Sequence, residues 1–167
     1  ENRSGAITRI YIVRDAEAEG NLYRRAHGWY NSLITQRGYR QIAALAGRFA
    51  QIHIDAAYSS DLFRTMTTAR AVYETHGLEL HTLPALREIN LGDWEDVPWG
   101  GILRRDGVRM KQFNAASPDF QAPGGESFAQ AGERVYGAVM DIARAHPGQT
   151  VAVFSHGTVI RQLQGII

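Results

Sequence analysis

Short apolar runs alternate with longer amphipathic stretches along the chain. Four of these runs have the length expected of buried strands: Ile7 to Val13, Ala56 to Ser59, Leu78 to Leu83 and Thr150 to Phe154. Because helix-length segments separate the strands, we expect the strands to pair in parallel. The pattern therefore predicts an α/β fold in which helices cover both faces of a mainly parallel sheet.

Four amphipathic segments predict the helices. In the first, Thr35 to Ile52, Thr35 can cap the start, and apolar residues recur at three- and four-residue spacing. The others run from Ser60 or Asp61 to Tyr73, from Glu126 to Ala145, and onward from Thr158. The stretch 88–125 has few apolar periods, many Gly and Pro residues and two Trp residues. We expect it to be an inserted cap over the sheet, within a single domain spanning 1–167.

Composition narrows the possible functions. The 18 Lys and Arg residues almost balance the 17 Asp and Glu residues, which argues against a nucleic-acid partner bound by bulk charge. The absence of Cys excludes thiol nucleophiles, disulfides and zinc–thiolate sites. No apolar run approaches the roughly 20 residues that span a membrane, and the start at 1–5 does not read as a signal peptide. A cytoplasmic protein without a membrane partner is expected.

Polar residues follow three of the predicted strands directly. Arg14-Asp15, Ser59-Ser60 and Ser155-His156 each stand at a strand end, where parallel sheets place their chemistry. Arg64, one turn into a helix, suits an anion, although this segment alone favours a solvated Arg64 that pairs with Asp61 three residues earlier. Taken singly, each of these signals also fits a structural role.

Taken in order, the motifs are far more specific. The chain contains, in one series, Arg14, Ser59-Ser60-Asp61-Leu62-x-Arg64, Leu86-x-Glu88-x-x-x-Gly92-x-Trp94-Glu95, Pro123-Gly124-Gly125-Glu126-Ser127 and Val153-x-Ser155-His156-Gly157. This series resembles the histidine phosphatase superfamily, which has the phosphoglycerate mutase-like fold. The resemblance implies a three-layer α/β/α fold and phosphoryl transfer through a phosphohistidine, with no metal or other cofactor.

The resemblance also implies roles for six residues. Arg14, Asn21, Arg64 and His156 match the phosphate-binding set, with His156 also in the catalytic set, and Glu88 matches the acid that protonates the leaving oxygen. The family signature after the first strand is Arg-His-Gly or Arg-His-Ala, whereas this chain has Arg14-Asp15-Ala16. Asp15 therefore stands in the position of the nucleophilic His. A carboxylate there would repel a phosphate dianion and bind the arginines itself, so we expect impaired turnover.

Several alternatives stay open from the sequence. Asp15 is an engineered change, a natural mark of a pseudophosphatase that binds phosphorylated ligands, or a weak nucleophile. Phosphoglycerate mutases of the family carry a larger insertion in the cap region. The resemblance together with the short cap of this chain therefore favours a phosphomonoester hydrolase over a phosphoglycerate mutase. Cap cations are candidates for recognising a second acidic group on the substrate, or else form a solvated helix face: Arg104, Arg105, Arg109 and Lys111. The C-terminus is expected to be truncated or incomplete, and the resulting unpaired sheet edge favours a homodimer.

Overall fold

A computed structural model describes residues 6–167; the first five residues, which bear on the signal-peptide prediction, lie outside the described part. The strands are β1 (Arg9–Arg14), β2 (Ala56–Ser59), β3 (Leu80–Thr82) and β4 (Thr150–Ser155). The helices are α1 (Glu19–Leu22), α2 (Gln36–Phe49), α3 (Phe63–Tyr73), α4 (Trp99–Arg105), α5 (Gly107–Asn114), α6 (Phe128–Ala145) and α7 (Gly157–Ile166). Short 3₁₀ turns at Pro84–Leu86 and Gly92–Trp94 follow β3.

The four strands form one parallel sheet in the order β1-β4-β2-β3. Successive side chains of a strand point to opposite faces, and β4 shows the consequence. Val151 and Val153 enter a core with α6 and the 88–125 segment, whereas Ala152 and Phe154 enter a second core with α2 and α3. The predicted three-layer α/β/α fold is thereby confirmed.

Local sequence signals fix several element boundaries. The hydroxyl of Thr35 accepts a hydrogen bond from Gly38 N (3.0 Å), so Thr35 caps α2 as predicted. Ser127 and Gln130 form a reciprocal capping box, and α6 therefore begins at Phe128, two residues later than predicted. Strand β3 is shorter than the predicted Leu78 to Leu83, because only three residues pair with β2.

The 88–125 segment contains two helices, α4 and α5, that its sequence pattern did not reveal. Both helices are short, and the second and third residues of α4 are glycines, which lower the helix propensity of the segment. They are held instead by packing, since Ile102, Met110 and Phe120 are buried in the core that α6 shares. Among residues 6–167, β1 and β3 are the two outer strands. The homodimer stays a prediction.

Candidate active site

The carboxyl ends of the three adjacent strands β1, β4 and β2 bring together the polar residues that follow them. Asp15 N donates a hydrogen bond to Ser155 O (3.0 Å), and Ser60 N donates to Phe154 O (3.1 Å). These bonds extend the sheet by one residue beyond each strand end. Asp15, Ser60 and His156 consequently surround one point at the sheet edge, as the strand-end rule predicts.

Asp15 forms a buried ion pair with Arg64. Its Oδ2 accepts a hydrogen bond from Arg64 Nε at 2.8 Å, and the two side chains are 7% and 1% exposed. Burial by itself raises the pKa of the Asp15 carboxyl, but the positive charges of His156, Arg64 and Arg14 outweigh burial and hold the pKa well below its usual range. Asp15 is therefore an anion, bound by a side chain, Arg64, that the resemblance assigns to phosphate binding.

His156 connects Asp15 to two hydroxyl groups. Its Nε2 lies 2.8 Å from Ser60 Oγ and 3.0 Å from Thr65 Oγ1, while its Nδ1 lies 3.4 Å from Asp15 Oδ2 without the geometry of a hydrogen bond. The order hydroxyl, imidazole, carboxylate is that of a serine hydrolase. Ser60, however, is completely buried, so its hydroxyl cannot reach a substrate. The hydroxyls instead orient the imidazole.

Arg64 does not pair with Asp61, so the predicted local pair at the start of α3 is wrong. Asp61 binds Arg87 through two hydrogen bonds of 2.6 Å. The Arg64 guanidinium is held by backbone carbonyls: Nη1 donates to Tyr30 O (2.7 Å) and Nη2 to Gly28 O (2.7 Å) and His27 O (3.2 Å). Its Nε is thereby aimed at position 15.

Glu88 is a buried carboxylate at the start of α7. Its Oε2 accepts a hydrogen bond from Thr158 N (3.0 Å), and its Oε1 accepts from Val159 N (3.1 Å) and Ile89 N (2.9 Å). The first amides of a helix lack partners within the helix, and an acidic side chain satisfies them well. The helix therefore orients Glu88 in the wall of the site.

Arg14 and Asn21 are exposed, unlike Asp15, and both line a cavity that Glu88 also lines. The Arg14 guanidinium lies over the start of α7, where a Cβ atom at Gly157 would come within 3.1 Å of Arg14 Cζ. Asn21 Oδ1 accepts a hydrogen bond from Ala18 N (2.9 Å), which leaves its amide NH₂ group as the part available to a ligand.

The cavity beside Glu88 has a volume of about 320 Å³ and is rich in arginine. Arg24 and Arg161 line it together with Arg14, and so do the aromatic ring of Trp99 and the imidazole of His27. No motif or spacing in the sequence singles out Arg24 or Arg161. By contrast, the cap cations suggested for a second acidic group do not line this cavity, and Arg109 binds Asp106 on its own helix.

His27 is held neutral at physiological pH. Burial, followed by the charge of Arg64, lowers the pKa of its imidazole from 6.5 to about 4. The folded chain thus binds this proton more weakly than the unfolded chain. The free energy of unfolding should fall by up to about 3 kcal/mol as the pH drops from 6.5 to 4.

Urea unfolding at several pH values measures this effect. In a His27→Gln variant, position 27 has no titrating group. The part of the fall in the free energy of unfolding that His27 causes should therefore be absent. Equal pH dependence in the two proteins would contradict the assignment.

Fold and site together define an α/β protein with a basic pocket of the kind that binds phosphate groups. A sequence profile of the histidine phosphatase superfamily (branch 1) matches residues 10–166. A probable phosphoglycerate mutase, GpmB, of Yersinia pestis (strain Pestoides F) is 32% identical over 154 residues, which are 92% of this chain and 72% of that protein. This chain belongs to the histidine phosphatase superfamily.

Solved structures show the same relationship. Bacillus stearothermophilus YhfR superposes with a TM-score of 0.89 at 32% identity, over 95% of this chain and 79% of that one. Phosphoglycerate mutase from Bacillus anthracis str. Sterne superposes with a TM-score of 0.80 at 26% identity, over 96% and 80% of the two chains. In residues 6–167, no helix has the length and apolar character to cross a membrane. The same residues contain no cluster of three or more potential metal-ligating side chains.

Proposed function

We propose that this chain derives from a metal-independent phosphomonoester hydrolase, in which Asp15 occupies the nucleophile position and suppresses turnover. One observation carries the proposal: the Asp15 carboxylate lies 2.8 Å from Arg64 Nε and 3.4 Å from His156 Nδ1. Arg64 and His156 are the groups that would bind the transferring phosphoryl group. The carboxylate satisfies their charge and leaves less attraction for a phosphate.

The rest of the pocket retains the parts that phosphoryl transfer through histidine requires. With His at position 15, a neutral ring nitrogen would attack phosphorus and break the bond to the ester oxygen, which would take a proton from Glu88. Water would then cleave the phosphorus–nitrogen bond of the phosphohistidine, return a proton to Glu88 and release phosphate. Arg14, Arg64 and His156 would stabilise the negative charge of the transferring group throughout, which is the task that a metal ion has in other phosphatases.

The cavity beside Glu88 supports an anionic small molecule as the substrate. Among residues 6–167, the side chains of Arg14, Arg24 and Arg161 have no carboxylate partner within 4.0 Å. The carboxylate of Glu88 is already bound by backbone amides. A phosphomonoester with a second acidic group would neutralise this excess of positive charge.

A pseudophosphatase is the second candidate, and the buried pair of Asp15 with Arg64 favours it. In that function, Arg14, Arg24 and Arg161 bind a phosphorylated ligand and no bond is broken. A phosphoglycerate mutase remains the third alternative, suggested by the names of the relatives.

Phosphate release from p-nitrophenyl phosphate by the Asp15→His variant tests the hydrolase proposal. We expect turnover that is unchanged by an excess of EDTA, because the arginines supply the positive charge. Activity that chelation abolishes and Mg²⁺ restores would contradict the metal-independent mechanism. A folded Asp15→His variant that binds phosphate without hydrolysing the ester would instead support the pseudophosphatase.

A further inference from the structure

The carboxylate of Glu95 accepts hydrogen bonds from four backbone N–H groups. Oε1 accepts from Trp29 N (2.7 Å) and Leu91 N (3.0 Å), and Oε2 accepts from Gly28 N (3.0 Å) and Tyr30 N (2.9 Å). Three consecutive amides therefore converge on a side chain that lies 65 to 67 positions away in sequence.

The segment 27–30 binds Arg64 with its carbonyl groups while it binds Glu95 with its amides. The carbonyl oxygens of His27, Gly28 and Tyr30 accept the Nη hydrogen bonds of Arg64. The N–H and C=O groups of a trans peptide unit point in opposite directions, so one segment can hold an anion on one side and a cation on the other. The three bonds from Gly28, Trp29 and Tyr30 to Glu95 hold the segment whose carbonyls bind Arg64.

The contact between the segment and Glu95 is also sterically tight. A Cβ atom at Gly28 would lie 2.0 Å from Ile89 O and 2.6 Å from Glu95 Oε1, so only glycine fits there. Each carboxylate oxygen of Glu95 accepts two N–H groups. A glutamine amide would present its NH₂ group to two of these donors and could accept from neither. The arrangement therefore requires a carboxylate.

We propose that Glu95 is a positioning residue for the anion site, acting through segment 27–30 to aim Arg64 Nε at position 15. This role of Glu95 rests on the proposed function in one respect only, namely that Arg64 binds the phosphoryl group. That Glu95 positions Arg64 can be measured in the chain as it is, where Nε donates to Asp15 Oδ2 at 2.8 Å.

The first test is the exchange of the Arg64 Nε–H proton with water, followed by NMR. The Glu95→Gln variant should exchange this proton at least about tenfold faster, because the carbonyls that restrain the guanidinium lose their support. Asp55→Asn is the matched control: Asp55 Oδ2 also accepts a backbone N–H, from Thr150 (2.8 Å), but at the opposite end of the sheet. The control should leave Arg64 Nε–H exchange unchanged.

A purely structural role makes a different prediction. Glu95→Gln would then lower the free energy of unfolding as Asp55→Asn does, with Arg64 Nε–H exchange as in the parent chain, and that result would overturn the proposal. If Glu95→Gln does not fold, Glu95→Asp replaces it in the test. Aspartate keeps the negative charge, but its side chain is shorter by one methylene group, so the carboxylate lies further from the amides. Parent-like exchange in a folded Glu95→Asp variant would also overturn it, and an intermediate rate would support it.

The second test uses the Asp15→His background. Adding Glu95→Gln should weaken inhibition by vanadate and lower kcat/KM by about tenfold or more, whereas adding Asp55→Asn should change neither. Unchanged vanadate inhibition in the Glu95→Gln variant would contradict the positioning role. If the Asp15→His variant has no activity at all, the proposed function fails, and Nε–H exchange still decides the role of Glu95.

Discussion

Replacing Asp15 by His should raise kcat/KM for p-nitrophenyl phosphate by at least about 10³-fold. Two unit charges 4 Å apart repel each other by about 4 kcal/mol at an effective dielectric constant near 20, which corresponds to about three decades in rate. The substitution removes this repulsion and releases Arg64, whose Nε now binds the carboxylate at 2.8 Å. It also supplies a neutral nitrogen nucleophile, so the gain can exceed the electrostatic part.

An Asp15→Asn variant separates the two contributions. Asparagine removes the negative charge without supplying a nucleophile, so we expect tighter phosphate binding than in the parent chain but no comparable turnover. Isothermal titration with inorganic phosphate and the same ester assay measure the two properties. Equal ester turnover in the Asn and His variants would show that position 15 does not hold the nucleophile.

Replacing Arg64 by Met should lower the free energy of unfolding by about 3–5 kcal/mol. Removing one partner of a buried ion pair leaves the other charge uncompensated, which costs about that much. Asp15 is 7% exposed and would keep only Arg14 and the His156 imidazole among the groups that lower its pKa. The carbonyls of segment 27–30 would lose their donor in the same step.

Arg87→Met is the matched control for this measurement. Arg87 also pairs with an aspartate, Asp61, but the two side chains are 26% and 27% exposed. Partly solvated pairs contribute about 1 kcal/mol or less, so the control should be only mildly destabilised in urea unfolding. Adding Asp15→Asn to Arg64→Met should recover part of the loss, because it removes the unpaired charge. Equal destabilisation by Arg64→Met and Arg87→Met would contradict the buried pair.

The sheet and the centre of the site could be predicted from the sequence, because both depend on the order in which strands, helices and strand-end residues follow one another along the chain. Strand β2 has the predicted bounds, and Asp15, Ser60 and His156 meet because each follows a strand in a parallel sheet. The pair of Asp15 with Arg64 follows from the same placement together with opposite charge.

Contacts between distant segments could not be predicted in this way. Glu95 binds the amides of residues 28–30, and no periodicity or motif indicates a contact across that separation. In the sequence, Arg24 and Arg161 have no feature that distinguishes them from other surface arginines. Only the fold places the loop after α1 and helix α7 beside the same cavity. Helices α4 and α5 are stabilised by tertiary packing more than by their own propensity.

The most direct test of the account is to look for a phosphorylated side chain at position 15. The Asp15→His variant is mixed with p-nitrophenyl phosphate, and the reaction is stopped during turnover by adding alkali, which preserves phosphohistidine. Mass spectrometry then locates the phosphorylated residue. The account predicts one phosphoryl group on residue 15 of the variant and none on the parent chain. Ester turnover with no adduct there, or with the phosphoryl group on His27 or His156, would contradict it.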